Sequence, residues 1–170
     1  MKTVKFIIVA IFSCVVLVAC GEKKEKKKEG FSYENKTSTT KKIVESHSND
    51  VVLTSNDLMQ FNKSEIRVKA GQKVKLTLTH IGKLDIKVMG HNFVLLRQGV
   101  DLSAFAIKAA AFADNEYIPT KTDAVIVHTK VIGGGETTVI EFDVPAVGSY
   151  EFLCSFPGHY GMMKGVFIVE

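Results

Sequence analysis

Beyond residue 20 this chain has no second cysteine. Of its three cysteines, Cys14 and Cys20 fall in an apolar N-terminal segment and only Cys154 remains further on. A disulfide framework is therefore excluded for the folded part. Tryptophan is absent altogether. An unbroken apolar run of the ~20 residues that a membrane-spanning helix needs is missing too. A basic stripe is also lacking where a nucleic-acid surface would need one. Of the net charge of +4, Lys2 and Lys5 supply +2, and residues 21–42 supply +4 through eight Lys against four Glu. The remainder thus carries −2, and the basic balance belongs to the N-terminal segments, so no nucleic-acid partner is expected.

What is present begins with a positive tip, Lys2 and Lys5, followed by an apolar run from Phe6 to Ala19 broken only by Ser13. This is the layout of a secretory signal, expected over 1–19. Leu17-Val18-Ala19-Cys20 resembles a bacterial lipobox, which implies lipid attachment at Cys20 and export to a membrane face, periplasmic or exterior. The next segment, to about residue 45, is rich in Lys, Glu, Ser, Thr and Asn and reads as a solvated linker. With 46% hydrophobic residues overall, residues 46–170 are expected to form one globular domain.

From about Val51 the pattern is one of short strands. Val74, Leu76 and Leu78 alternate with polar residues over 73–79, as do Ile66 and Val68 over 65–69. Further strands are expected over 92–96, 125–129, 137–144, 149–154 and 165–169, and together they point to an antiparallel sandwich. Ala70-Gly71 and Gly133-Gly134-Gly135 read as hairpin turns. Leu102, Phe105, Ala109 and Phe112 recur at helical spacing, so a helix over 102–113, capped by Asp101 or Ser103, should pack outside the strands.

The chemistry concentrates near the C-terminus, where Cys154-Ser155-Phe156-Pro157-Gly158-His159-Tyr160-Gly161-Met162-Met163 links two expected strands. One tight loop can bring a thiolate, an imidazole and a thioether to one point. A fourth ligand must come from elsewhere, and His91 in Met89-Gly90-His91-Asn92 is the natural candidate. A lone thiol in an exported protein needs a reason, and a metal is the best available one. Two imidazoles, a thiolate and a weak axial thioether suit one copper ion cycling between Cu(I) and Cu(II). Zinc favours a closed tetrahedron with more Cys or His. Of the two neighbouring methionines, Met162 and Met163, strand alternation would turn one outward, so only one of them can serve as ligand.

These motifs, with Asn56 to Asn62 and His128-Thr129-Lys130, resemble those of azurins, in the azurin and auracyanin branch of the cupredoxins. The resemblance covers 56–170. It implies an all-β, eight-stranded Greek-key sandwich (cupredoxin) with one inserted helix, and one-electron transfer with no enzymatic activity. The implied metal ligands are His91, His159, Cys154 and Met163, with the Gly90 carbonyl approaching weakly. Asn92 and the amide of Phe156 would tune the sulfur. The implied partner is a c-type cytochrome or other redox protein, met transiently over His159. The docking surface comprises Phe156, Pro157, Gly158, Tyr160, Gly161 and Met162, with Leu84, Val88 and Met89 from opposite loops. A copper oxidase or nitrite reductase would need a second centre and clustered histidines, which five scattered His do not supply. Copper storage or delivery is the alternative function. Two departures concern stability and not ligation: no azurin-type disulfide can form, and Phe93 stands where azurins usually carry a core Trp. His47, His80 and His128 are not expected to bind metal, with His80 read as a core or partly buried residue and His128 as a surface one.

Overall fold

Polar and apolar residues alternate through Lys73–His80 (β4), and the structure buries Val74, Leu76, Leu78 and His80 while leaving Lys73 and Lys75 exposed. The same period of two governs Asp50–Asn56 (β1), Glu65–Val68 (β3) and Lys164–Val169 (β9), because successive side chains in a strand point to opposite faces. The structure is a computed structural model that describes residues 49–170. The expected signal segment, the whole of the expected linker with Cys20, and His47 lie outside the described residues.

The remaining strands are the two-residue Gln60–Phe61 (β2), Val94–Leu96 (β5), Val125–His128 (β6), Thr137–Asp143 (β7) and Gly148–Leu153 (β8). They form two sheets, ordered β2-β1-β4-β7 and β3-β9-β8-β5-β6. The all-β sandwich is as expected, with nine strands among the described residues instead of eight once the short β2 is included. Two details differ from the sequence reading. The sheets are mixed, because β1 pairs with β4 and β3 with β9 in parallel. In addition, Ala70-Gly71 and the triple glycine are not hairpin turns. The first joins β3 to β4 and the second joins β6 to β7, and both connections cross from one sheet to the other. A short Gly-containing turn specifies a reversal of direction without saying which sheet the next strand joins, which explains both misreadings.

The inner faces of the sheets meet over Leu53, Leu76, Leu78, Phe93, Leu95, Phe152 and Phe167, all with no exposed surface. Each such side chain contributes about 1.5–3 kcal/mol by leaving water. Phe93, at the position of the usual azurin Trp, packs its ring 5.4 Å from that of Phe152. All three residues of β5 are buried, because it is covered on both sides. Leu95 faces the sandwich, while Val94 and Leu96 face a second cluster built on the inserted helix.

That helix, Leu102–Ala109 (α2), is capped by the Asp101 carboxylate, which accepts from the amide of Ala104 at 2.9 Å. It buries Leu102, Phe105, Ala106 and Ala109. It ends four residues earlier than expected. Phe112 leaves helical geometry, and Ala113–Asn115 forms a single 3-10 turn in which the Asn115 side chain donates to the carbonyl of Ile118. Asp-Asn turn chemistry thus overrides the apolar period that reaches Phe112. A one-turn helix, Ile86–Met89 (α1), was not anticipated. Its only sequence signal is Asp85, whose carboxylate accepts from the amide of Lys87.

Candidate metal centre

β8 delivers Cys154 and β9 begins at Lys164, so the intervening loop is closed at its base by the Cys154 amide donating to the Met163 carbonyl at 2.9 Å. Within it, the His159 amide donates to the Phe156 carbonyl at 3.1 Å, a turn in which Gly158 has a φ of +83°. That left-handed conformation is open to glycine without strain. The amides of Met162 and Met163 both donate to the His159 carbonyl. This second turn, and not strand alternation, separates the two methionines. Met163 is wholly buried, whereas Met162 is 59% exposed.

His91 arrives from a different part of the chain. Its amide and carbonyl pair with the carbonyl and amide of Ile132 at 3.0 and 2.9 Å, an isolated bridge that fixes the backbone. The ring Nε2 lies 3.0 Å from the carbonyl of Asn56 at the end of β1. Because a carbonyl can only accept, Nε2 carries the proton, and Nδ1 presents a lone pair inward.

The structure thereby brings three of the expected residues together. Nδ1 of His91 and Nδ1 of His159 lie 3.9 and 3.7 Å from Sγ of Cys154, and all three atoms fall within 4.8 Å of one another. The Gly90 carbonyl is 3.9 Å from the same sulfur. A Cβ on Gly90 would come within 2.7 Å of the Phe156 ring and 2.6 Å of the Ile86 carbonyl, so only glycine permits this approach.

Electrostatics suits a metal and not a free charge. Burial pushes the Cys154 thiol up to about 12, against the opposing pull of amides from Asn92 and Phe156. Burial likewise pulls His91 and His159 down to about 4, with the neighbouring His80 adding to both shifts. At neutral pH the metal-free site therefore holds a neutral thiol and two neutral imidazoles. A cation that displaces the thiol proton meets one anionic sulfur and two free nitrogen lone pairs. This donor set fits copper, with soft sulfur and borderline nitrogen in one small cavity.

The family model for copper-binding proteins of the plastocyanin/azurin family matches residues 47–170. The chain belongs to the plastocyanin/azurin family. The azurin-1 of Alcaligenes xylosoxydans xylosoxydans is 47% identical over 120 residues, covering 68% of this chain and 93% of that protein. The azurin of Pseudomonas chlororaphis is 43% identical over 125 residues, covering 71% and 97%. Among solved structures, an azurin (Az-iso2) of Methylomonas sp. strain J matches with a TM-score of 0.65 at 35% identity, covering 71% of this chain and 97% of that one. Dithionite-reduced auracyanin from Roseiflexus castenholzii matches with a TM-score of 0.64 at 31% identity, covering 72% and 98%. As a member of the plastocyanin/azurin family with a His–Cys–His group, the chain is a type 1 copper electron-transfer protein with one copper ion.

Around this azurin-like centre, Asn92 behaves as a staple. Its side chain donates to Ser155 Oγ and accepts from the Ser155 amide, tying the two metal-bearing segments together. Ser155 and the Asn56 carbonyl escaped the sequence reading. Ser155 sits beside the cysteine, and Asn56 opens the first azurin-like landmark, but neither carries a ligand-type side chain. His80 is fully buried, its ring centre 4.5 Å from that of His91, and its Nε2 lies 3.1 Å from the Asp57 carboxylate. His128 sits at the end of β6 but is half-buried and not at the surface as expected, its Nδ1 lying 3.0 Å from the carbonyl of Thr129. Leu84, Val88, Met162, Pro157, Gly158 and Gly161 are exposed, and Met89, Phe156 and Tyr160 are half-buried. Lys83, Asp85 and Lys87 are exposed among them in sequence, so α1 and its approach are not free of charge.

Proposed function

We propose that the protein carries single electrons between redox partners at or beside a membrane, with copper that would be held by His91, Cys154, His159 and Met163 and approached weakly by the Gly90 carbonyl. The observation that carries this reading is the buried trio of two Nδ1 atoms and one Sγ within 4.8 Å. Copper bound there supplies a one-electron couple, Cu(I)/Cu(II). The chain's part is to hold the donors fixed and dry. The Ile132 bridge and the Asn56 carbonyl orient His91, the loop base fixes Cys154, and Phe156 packs its ring 4.7 Å from that of His159. Amides of Asn92 and Phe156 directed at the sulfur tune the potential by withdrawing density from it.

Of the four proposed ligands only His159 keeps any exposed surface, 4%, which supports an electron path through its ring. Apolar residues around it suit a brief, small contact with a c-type cytochrome or similar redox protein. Lipid attachment at Cys20, with export to the periplasmic or outer face of a membrane, completes the reading. A closed, buried donor set supports electron transfer over copper delivery, which calls for open ligands.

The experiment is the optical spectrum of the protein loaded with Cu(II). An intense blue thiolate-to-copper band, lost in Cys154→Ser, is the expected result. A colourless copper complex of the folded protein overturns the reading. For the anchor, Cys20→Ser should release a soluble protein that is still blue, and membrane retention after a high-salt wash overturns the lipid tether.

A further inference from the structure

Asn92 is itself held from outside the metal loops. Its side-chain amide donates to the backbone carbonyl of Glu116 at 2.9 Å as well as to Ser155. Glu116 follows the 3-10 turn after α2 and has φ +56° and ψ +25°, a left-handed conformation that a residue with a Cβ adopts rarely. Its carboxylate accepts from the amide of Val131. Val131 precedes Ile132, whose backbone forms the two-way bridge to His91.

Glu116 therefore touches the His91–Asn92 segment by two routes. The carbonyl reaches Asn92 directly, and the carboxylate reaches the neighbour of the residue that pairs with His91. We propose that Glu116 is a positioning residue for the copper centre. Its carboxylate, anchored on the Val131 amide, holds a left-handed backbone that aims the Glu116 carbonyl at Asn92 and keeps the Asn92 side-chain staple on Ser155 short. The helical excursion over 102–117 thereby acts as a brace for the site. A simpler account, in which Glu116 merely ends the excursion, leaves unexplained why its carbonyl meets Asn92 while its carboxylate meets the neighbour of the residue paired with His91.

The inference rests on the proposed copper reading for its consequence but not for its geometry, and the test separates the two. In metal-free protein, amide hydrogen exchange at Ser155 should quicken about tenfold in Glu116→Ala, as expected when a buried hydrogen-bond chain loses its anchor. Glu116→Gln, whose side-chain oxygen can still accept from Val131, should restore wild-type exchange. In copper-loaded protein, Glu116→Ala should lower the reduction potential, because a segment less firmly stapled through the Asn92 side chain holds the Asn92 backbone amide less firmly toward the Cys154 sulfur, and Glu116→Gln should recover it. Glu116→Gly tolerates the left-handed backbone without strain and removes only the tie, so it provides the same comparison should the Ala variant fail to fold. Unchanged Ser155 exchange and unchanged potential in the Gly or Ala variant, with only the unfolding midpoint lowered, would overturn the proposal. So would a Gln variant that behaves like Ala. A chain that fails to give a blue spectrum defeats the copper reading alone, since the metal-free exchange result stands without it.

Discussion

The Nε2 atom of His91 and the carbonyl oxygen of Asn56 lie 3.0 Å apart, so the end of β1 selects which nitrogen of this ring faces the site. The Nε2–H tautomer is the only one that gives a hydrogen bond here. In nitrogen-resolved NMR of the metal-free protein, His91 should appear as a neutral ring protonated at Nε2 at pH 7. A ring protonated at Nδ1 would contradict the orientation described.

The Cys154 thiol, with no exposed surface and a pKa pushed up to about 12, should be a poor nucleophile without metal. Relative to an ordinary thiol near 9, the thiolate fraction at pH 8 is about a thousandfold smaller, and alkylation should slow accordingly. Loading copper at pH 8 should release about one proton per metal bound, measurable in weakly buffered solution. Rapid alkylation of folded, metal-free protein would count against the burial.

Met163 and Met162 should separate cleanly on substitution. Met163→Leu keeps the volume of a wholly buried side chain, so stability should fall by less than about 1.5 kcal/mol. The reduction potential should nevertheless rise as the proposed thioether ligand is lost. Met162→Leu, at a residue 59% exposed, should leave the blue band and the potential in place. The reverse pattern would exchange the two assignments.

Metal-free protein should lose stability in acid within a defined window. His91 and His159 are lowered from 6.5 to about 4 in the fold, so below pH 6.5 the unfolded chain binds more protons than the folded one. The stabilisation from keeping both rings neutral is complete above pH 6.5 and is lost progressively as pH falls through about 4. Roughly 3 kcal/mol for each ring is the scale of the change. Denaturant titrations at pH 7.5, 5.5 and 4.5 measure it, and a flat profile would contradict the burial of these rings.

Val88, 61% exposed on α1, tests the proposed docking face better than the half-buried Met89. Val88→Lys should slow electron exchange with the cognate partner by about tenfold while the spectrum stays unchanged. The same charge at Val147, on the short connection between β7 and β8 and 69% exposed, should have no effect. Equal rates in all three proteins would place docking elsewhere.

The sandwich was legible wherever one face of a strand is buried, as in Val74, Leu76 and Leu78. It was less legible where a strand is covered twice, as in β5, whose continuous burial removes the alternation. Sheet membership was not written in the turns. Ala70-Gly71 and Gly133 to Gly135 announce a reversal, and only the packing of the two inner faces decides that each crosses between sheets. For the site, the residues that donate side chains were visible because Cys, His and Met carry distinctive chemistry at distinctive spacing. Of the supports, Asn92 and the Phe156 amide came from the family resemblance, and the rest were not visible. Asn56, Ile132 and Glu116 act through backbone carbonyls or a single carboxylate, and nothing in their identity distinguishes them from any other turn residue before the chain is folded.

β1 carries a further consequence for how the molecule meets the world. The chain enters the described domain at Asn49, whose side chain is fastened to Lys69 by two hydrogen bonds of 3.0 and 2.9 Å. It then runs the length of β1 before Asn56 reaches His91. Seven strand residues span about 20 Å, so entry point and metal stand at opposite poles of the sandwich. The copper-bearing pole is thus the one remote from the residue at which the chain enters the described domain, and it is reached from outside without passing that entry point.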